Sequence, residues 1–386
     1  MSDSPQLPTH STSRFVNELR LSARQWVVTL ALFAAVLLLT SPIWKRIETF
    51  ATPPDYRIPY ALSRDYWLYQ RRLESLRPDQ IALIGDSVVW GEYVRADGTL
   101  SAFLNQKAGK DQRFVNAGVN GLFPLALEGL VEHYGHGLRG RRVIVHANVL
   151  WMTSPQADLS SAKEERFNHA DLVPQLSGRP PCYRADLNRR LTAIFERSVP
   201  FLAWANHLQV AYYGQKSLTE WTLEEDASDA SRHPNAFRNP LAPITLQVPS
   251  EPAVDPQRGP DSPRHKPWST TGEGSTRFEW VPLGRSLQWA ALQRLLTTLR
   301  QAGCDVLVIV GPFNEHLLAS ENQSTFRGVR DGVETWLSNQ KIAFVTPAIL
   351  PSSLYADASH PLTAGYQALA EDLLANKAFQ SWLNHP

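Results

Sequence analysis

The least polar stretch of the chain lies near its start. Residues 26–44 read WVVTLALFAAVLLLTSPIW, without a single charged side chain. A helix of that length, at about 1.5 Å per residue, matches the hydrocarbon thickness of a bilayer. A buried core helix would keep a polar face, and this run has none. Trp26 and Trp44 close its two ends, with Arg24 outside one and Lys45 and Arg46 outside the other, and amphipathic rings favour the membrane interface. Lys-Arg follows the run in place of a small-residue cleavage site, which favours an uncleaved signal anchor over a removed leader. The pattern predicts a disordered polar tail over 1–24, a transmembrane anchor over 25–45 and a connector over 46–80. Within the connector an amphipathic helix is expected at about 62–76.

Beyond residue 80 the pattern changes to alternation. IALIG (81–85), RFVNAG (113–118), RRVIVHANV (141–149), DVLVIVG (305–311) and KIAFVTP (341–347) are short apolar runs of strand length. Between them lie helix-length stretches at about 98–108, 125–134, 286–303 and 325–339, and a last helix spans 361–379. Strands alternating with helices imply βαβ crossovers. The expected architecture is therefore α/β: a three-layer, doubly wound sheet of about five parallel strands, covered on both faces. The alternation lapses once, from about 153 to 285, where helical, aromatic-rich sequence gives way to proline-rich loop. That segment reads as an insertion between strands three and four of one domain over 81–386.

Composition narrows the class. A net charge of +1 over 386 residues leaves no electrostatic footprint for nucleic acid. Cys182 and Cys304 form no CxxC pair, so a long-range disulfide and a buried Cys304 thiol both stay open. His133 and His136 straddle a helix end at Gly135, where the helix dipole favours histidine, so no metal site is expected there.

Four segments that can carry chemistry fall at the C-terminal ends of strands, the edge where open parallel sheets bind ligands. Gly85-Asp86-Ser87 puts a serine at a strand-to-helix turn, beside free N–H groups that suit an oxyanion; alone, the segment reads more simply as Asp86 or Ser87 capping a helix. Asn116-Ala117-Gly118 offers a backbone N–H at Gly118 or an ordinary turn, and His146-Ala147-Asn148 offers an amide donor or a buried turn asparagine. Asp357-Ala358-Ser359-His360 places a carboxylate three residues before a histidine, spaced to accept from Nδ1 and leave Nε2 for the serine. Asn314, Glu315 and His316 follow strand four at the same edge and are candidates for substrate contact.

Taken in this order, the segments resemble the SGNH, or GDSL-type, hydrolase family. Its Ser, Gly, Asn and His correspond to Ser87, Gly118, Asn148 and His360, and its acid to Asp357. The run DASHPLTAGYQALA (357–370) is similar to the family's last block. The third block departs: the family reads Gly-x-Asn-Asp where this chain has His146-Ala147-Asn148-Val149. The likeness covers the core on both sides of the insertion. It implies a flavodoxin-like sheet, a Ser87–His360–Asp357 triad and an oxyanion hole formed by the Ser87 and Gly118 N–H groups with the Asn148 amide. It further implies cofactor-free esterase or O-acyltransferase chemistry on an ester, such as the acetyl group of a glycan or lipid; the insertion lies outside the likeness and is the expected place for an acceptor groove. Anchored relatives work outside the cytoplasm, a preference that the near-equal charges flanking the span do not supply. The altered third block keeps a second expectation open: an inactive domain of this fold that binds glycan or a partner protein at the membrane.

Overall fold

The computed structural model describes residues 21–50, 52–53, 55–109, 112–153, 168–177, 183–224, 238–250, 274, 276–278 and 280–384. The polar tail through residue 20, Cys182 and most of the proline-rich stretch lie outside the described residues. Helix α1 (Ala23–Ile47) is followed by α2 (Tyr66–Glu74), β1 (Ile81–Gly85), α3 (Ser87–Trp90), α4 (Leu100–Ala108), β2 (Phe114–Gly118), α5 (Pro124–Tyr134), β3 (Arg142–Ala147) and α6 (Val149–Thr153). The insertion contributes α7 (Leu187–Ser198), α8 (Pro200–Tyr212) and α9 (Leu218–Leu223). The chain then returns through α10 (Leu287–Gln301), β4 (Asp305–Val310), α11 (Ser320–Asn339), β5 (Ala343–Val345), α12 (Thr363–Ala375) and α13 (Lys377–Asn384).

The five strands form one parallel sheet in the order β2-β1-β3-β4-β5. Successive side chains of a strand point to opposite faces, and both faces are covered. Ala82, Ile84, Val143 and Val145 pack beneath α2, α5, α10 and α11. Ile81, Leu83, Ile144 and Leu307 pack beneath α4, α12 and α13. Burial on both sides is why the strands read as continuous apolar runs in the sequence. The expected last helix is in fact two. Asn376 interrupts it, its Oδ1 accepting the N–H of Ala378 at 2.9 Å and so capping α13.

The connector is part of the domain. Tyr56, Ile58, Leu62, Leu68 and Leu73 are buried in the main core, and Asp65 caps α2 by accepting the Leu68 N–H at 2.9 Å. Along α1, Leu30, Leu32, Phe33 and Leu38 are each 60–64% exposed, and only Ser41 is buried. α1 is the one described helix long and apolar enough to span a membrane. Its C-terminal end is docked on the domain. Just past it, Glu48 accepts from Arg71 Nη1 at 2.5 Å, Tyr212 Oη at 2.5 Å and His207 Nε2 at 2.9 Å. The other ring nitrogen of His207 donates to Asp65 at 2.6 Å. His207 is fully buried; burial works against its charged form, but Asp65 and Glu48 outweigh it and push the imidazole up to about 9. One buried imidazolium thus ties together the end of α1, the connector and insertion helix α8. Cys304 is a free, buried thiol that donates to the Leu138 carbonyl at 3.1 Å.

Candidate active site

The strand order reverses about β1: β2 lies on one side of it and β3 on the other. The crevice above the carboxyl ends of β1 and β3 is therefore the switch point at which such sheets bind ligands. Ser87 is the first residue of α3, immediately after β1, and Asn148 immediately follows β3. Ser87 is 4% exposed and His360 7%.

Ser87 Oγ lies 2.7 Å from His360 Nε2, although the two residues are 273 positions apart in the chain. His360 Nδ1 lies 2.8 Å from both carboxylate oxygens of Asp357. Asp357 Oδ1 also accepts the backbone N–H groups of Ser359 and His360, at 2.9 and 3.0 Å. These two bonds wrap the loop around the carboxylate and fix the imidazole. Burial pushes Asp357 up, but the charge and hydrogen bond of His360 outweigh it and hold the carboxyl at about 2. Burial likewise opposes the charged form of His360; Asp357 first, then Glu92 and Asp86, overcome it and push the imidazole up to about 9.

Asp86 is the feature that the sequence pattern left as a mere cap. Its carboxylate is 4% exposed and accepts the Val88 N–H at 3.0 Å, His146 Nδ1 at 2.9 Å and Asn148 Nδ2 at 2.9 Å. Burial pushes this carboxyl up, but His146, Asn148 and the charge of His360 together hold it below the usual range. Both polar side chains of the His146-Ala147-Asn148 segment thus grip the aspartate next to Ser87. Asn148 Oδ1 accepts the Leu150 N–H at 3.1 Å, which fixes the amide plane. An amide nitrogen carries two hydrogens, so one of Asn148 remains after Asp86 has taken the other.

Gly118 stands differently. Its single N–H donates to Asn116 Oδ1 at 3.1 Å, so that hydrogen is already engaged. What requires glycine here is close approach. A Cβ at this position would sit 2.4 Å from the backbone nitrogen of Trp90, on the helix that carries Ser87. Asn314 is fully buried and supports the Asp357–His360 loop, its N–H donating to the Ala358 carbonyl at 2.8 Å. Glu315 pairs with Arg330 at 2.6 Å, and His316 Nε2 lies 3.3 Å from the Leu350 carbonyl. Neither is brought onto the triad.

Four residues with no motif to mark them, Tyr93, Glu92, His169 and Arg57, complete the surroundings. Tyr93, at a φ of 68°, sets its ring edge-on to His360 with centroids 5.4 Å apart. Such a backbone costs a non-glycine residue about 1–3 kcal/mol and clusters at functional sites. Glu92 accepts from the amide of Asn120, and His169 Nε2 donates to the Asn120 carbonyl at 2.7 Å. Arg57, from the connector, donates to the carbonyls of Trp90, Gly91 and Val94 at 2.5–3.0 Å, closing the end of the Ser87 helix. Among the described residues no cluster of His, Cys, Asp or Glu is arranged to hold a metal ion. No protein-family model matches the chain, and no curated protein matches it.

Proposed function

We propose that this chain is a membrane-anchored serine esterase or O-acyltransferase of the SGNH type, working through an acyl-serine intermediate. The observation that carries the reading is the 2.7 Å contact from Ser87 Oγ to His360 Nε2, with Asp357 on the opposite ring nitrogen. The strand order 2-1-3-4-5 is that of flavodoxin-like sheets and agrees with the resemblance.

In the mechanism, neutral His360 takes the Ser87 proton on Nε2 as Oγ attacks the ester carbonyl. Asp357 accepts from Nδ1–H throughout and stabilises the imidazolium that forms. The Ser87 N–H, at the first position of α3, has no intrahelical acceptor and can face the oxyanion, together with the free amide hydrogen of Asn148. Collapse expels the alcohol, which takes its proton from His360 Nε2. Water or a hydroxyl acceptor, deprotonated by His360, then attacks the acyl-serine and restores the free hydroxyl. Donation by Gly118 would first require release of Asn116.

The engaged Gly118 amide favours a second reading: a domain of this fold that binds an acylated glycan or a protein without turnover. Labelling with a fluorophosphonate probe separates the two. Stoichiometric adduct at Ser87, absent in Ser87→Ala, supports the esterase; no adduct on folded wild-type protein rejects it. The anchor reading places the domain at a membrane surface, on the extracytoplasmic side that the resemblance implies.

A further inference from the structure

The insertion meets the end of α1 through rings as well as through the His207 clamp. The Trp44 ring lies 5.6 Å from that of Trp204 and 6.4 Å from that of Tyr212, while Phe201 stands 5.2 Å from Trp204. Trp67 Nε1 donates to Ser41 Oγ at 2.8 Å, one turn nearer the middle of α1. Helix α8 therefore runs beside the last turns of the apolar helix. The uncharged run from residue 26 to residue 44 rises about 27 Å, which the ~30 Å hydrocarbon layer already takes up in full. It cannot slide outward without drawing lipid-facing leucines into water. On the anchor reading, Trp44 lies at the interface, and Trp204 and Phe201 with it.

Around this point the insertion carries further apolar groups. The Leu246 carbonyl accepts the Thr49 N–H at 2.8 Å, directly beyond α1. Tyr213 links the neighbouring pieces, donating to the Pro240 carbonyl at 2.6 Å and packing 5.5 Å from Trp221 of α9. On these pieces Leu218, Leu223 and Leu241 are 53%, 58% and 70% exposed. Of the nearby cations, Lys45 pairs with Glu74, and Lys216 and Arg238 pair with Glu224, while Arg46 in the last turn of α1 is exposed. Exposed apolar side chains of the insertion thus stand on pieces joined to the end of the span.

We propose that α8, α9 and the 240–246 turn form a second membrane-contacting surface, a collar that seats Leu218, Leu223 and Leu241 at the headgroup boundary of the leaflet from which α1 emerges. This rests on the anchor reading of α1. Amphipathic segments bury their apolar side at that depth in zwitterionic as well as anionic bilayers. With the collar seated and His207 bonded to both Glu48 and Asp65, the domain is held in one orientation to the bilayer and does not swing on a tether.

The test uses the full chain in phosphatidylcholine nanodiscs, with Cys182→Ser and single nitroxide labels at Leu38→Cys, Leu218→Cys, Leu241→Cys and Ala378→Cys, all exposed positions. Collision rates with oxygen and with a water-soluble nickel chelate give the depth of each label. Positions 218 and 241 should show an oxygen-to-nickel ratio several-fold above that at 378, and position 38 a higher ratio still. If 218 and 241 match 378 while 38 lies in lipid, the collar is overturned and the anchor stands. If 38 is in water, the anchor reading falls and the collar with it.

Discussion

Replacing Asn148 with alanine tests two roles that the geometry joins in one side chain. The amide gives one hydrogen to Asp86 at 2.9 Å and receives the Leu150 N–H at 3.1 Å; the second hydrogen is the one assigned to the oxyanion. Loss of the bond to a buried carboxylate costs about 1.5–3 kcal/mol, and an orphaned buried N–H about 1–3 kcal/mol. Stability should therefore fall by about 3–4 kcal/mol, out of the ~5–15 kcal/mol typical of a domain. Loss of one oxyanion donor should separately lower kcat by about 10²–10³. The assay is hydrolysis of a chromogenic acetyl ester at a temperature where the variant is folded, with a melting curve on the same preparation. Both losses are expected together. A normal kcat beside a lowered Tm would refute the donor role, and a low kcat beside an unchanged Tm would refute the Asp86 anchorage.

Because His360 is pushed up to about 9, kcat/KM should climb until about that pH, and Glu92→Gln should shift the limb to lower pH; an unmoved limb removes Glu92 from the site. His207→Ala leaves Glu48 and Asp65 buried without their shared cation, so urea unfolding in detergent should show a loss of about 3–5 kcal/mol near pH 7. A shift from 6.5 to about 9 is worth about 3 kcal/mol. Since that pKa is raised by folding, the stabilisation is complete below pH 6.5 and vanishes as pH rises through 9. His360 acts in the same window, so the wild-type minus H207A difference isolates the term, and parallel pH profiles would refute it. Gly118→Ala should cut activity more than tenfold by displacing α3, measured beside circular dichroism to confirm folding; full activity would show that the close approach yields cheaply.

The sheet was legible because its strands are buried on both faces, and every residue of IALIG is apolar or glycine for that reason. Ser87, Asp357 and His360 were legible because a strand end, a three-residue spacing and a chain order each leave a local mark. The remaining features leave none. His207 meets Glu48 across 159 positions, and a histidine inside FLAWANHLQVAYY looks like any other interior polar residue. Arg57 reads as one more charge after a span, yet it is 4% exposed and spent on three carbonyls. Asp86 satisfied a cap pattern and so concealed its larger part in holding His146 and Asn148. Such groups take their meaning from partners brought by distant strands, and no period in the chain reports them.

Those unmarked contacts also make one device of two parts that the sequence presents separately. The connector leaves α1 at Glu48, passes Arg57 beneath the carbonyl end of the Ser87 helix, and is gripped again at Asp65 by the same His207 that holds Glu48. From Gly91, one of the carbonyls on Arg57, two residues lead to Tyr93, whose ring abuts His360. Between α1 and the Ser87–His360 pair, Glu48, Arg57 and Asp65 are thus each buried and hydrogen-bonded. On the proposed function, such an arrangement would suit a substrate that is itself held at the membrane, since the anchor would then set the reach of Ser87 and diffusion of a tethered domain would not.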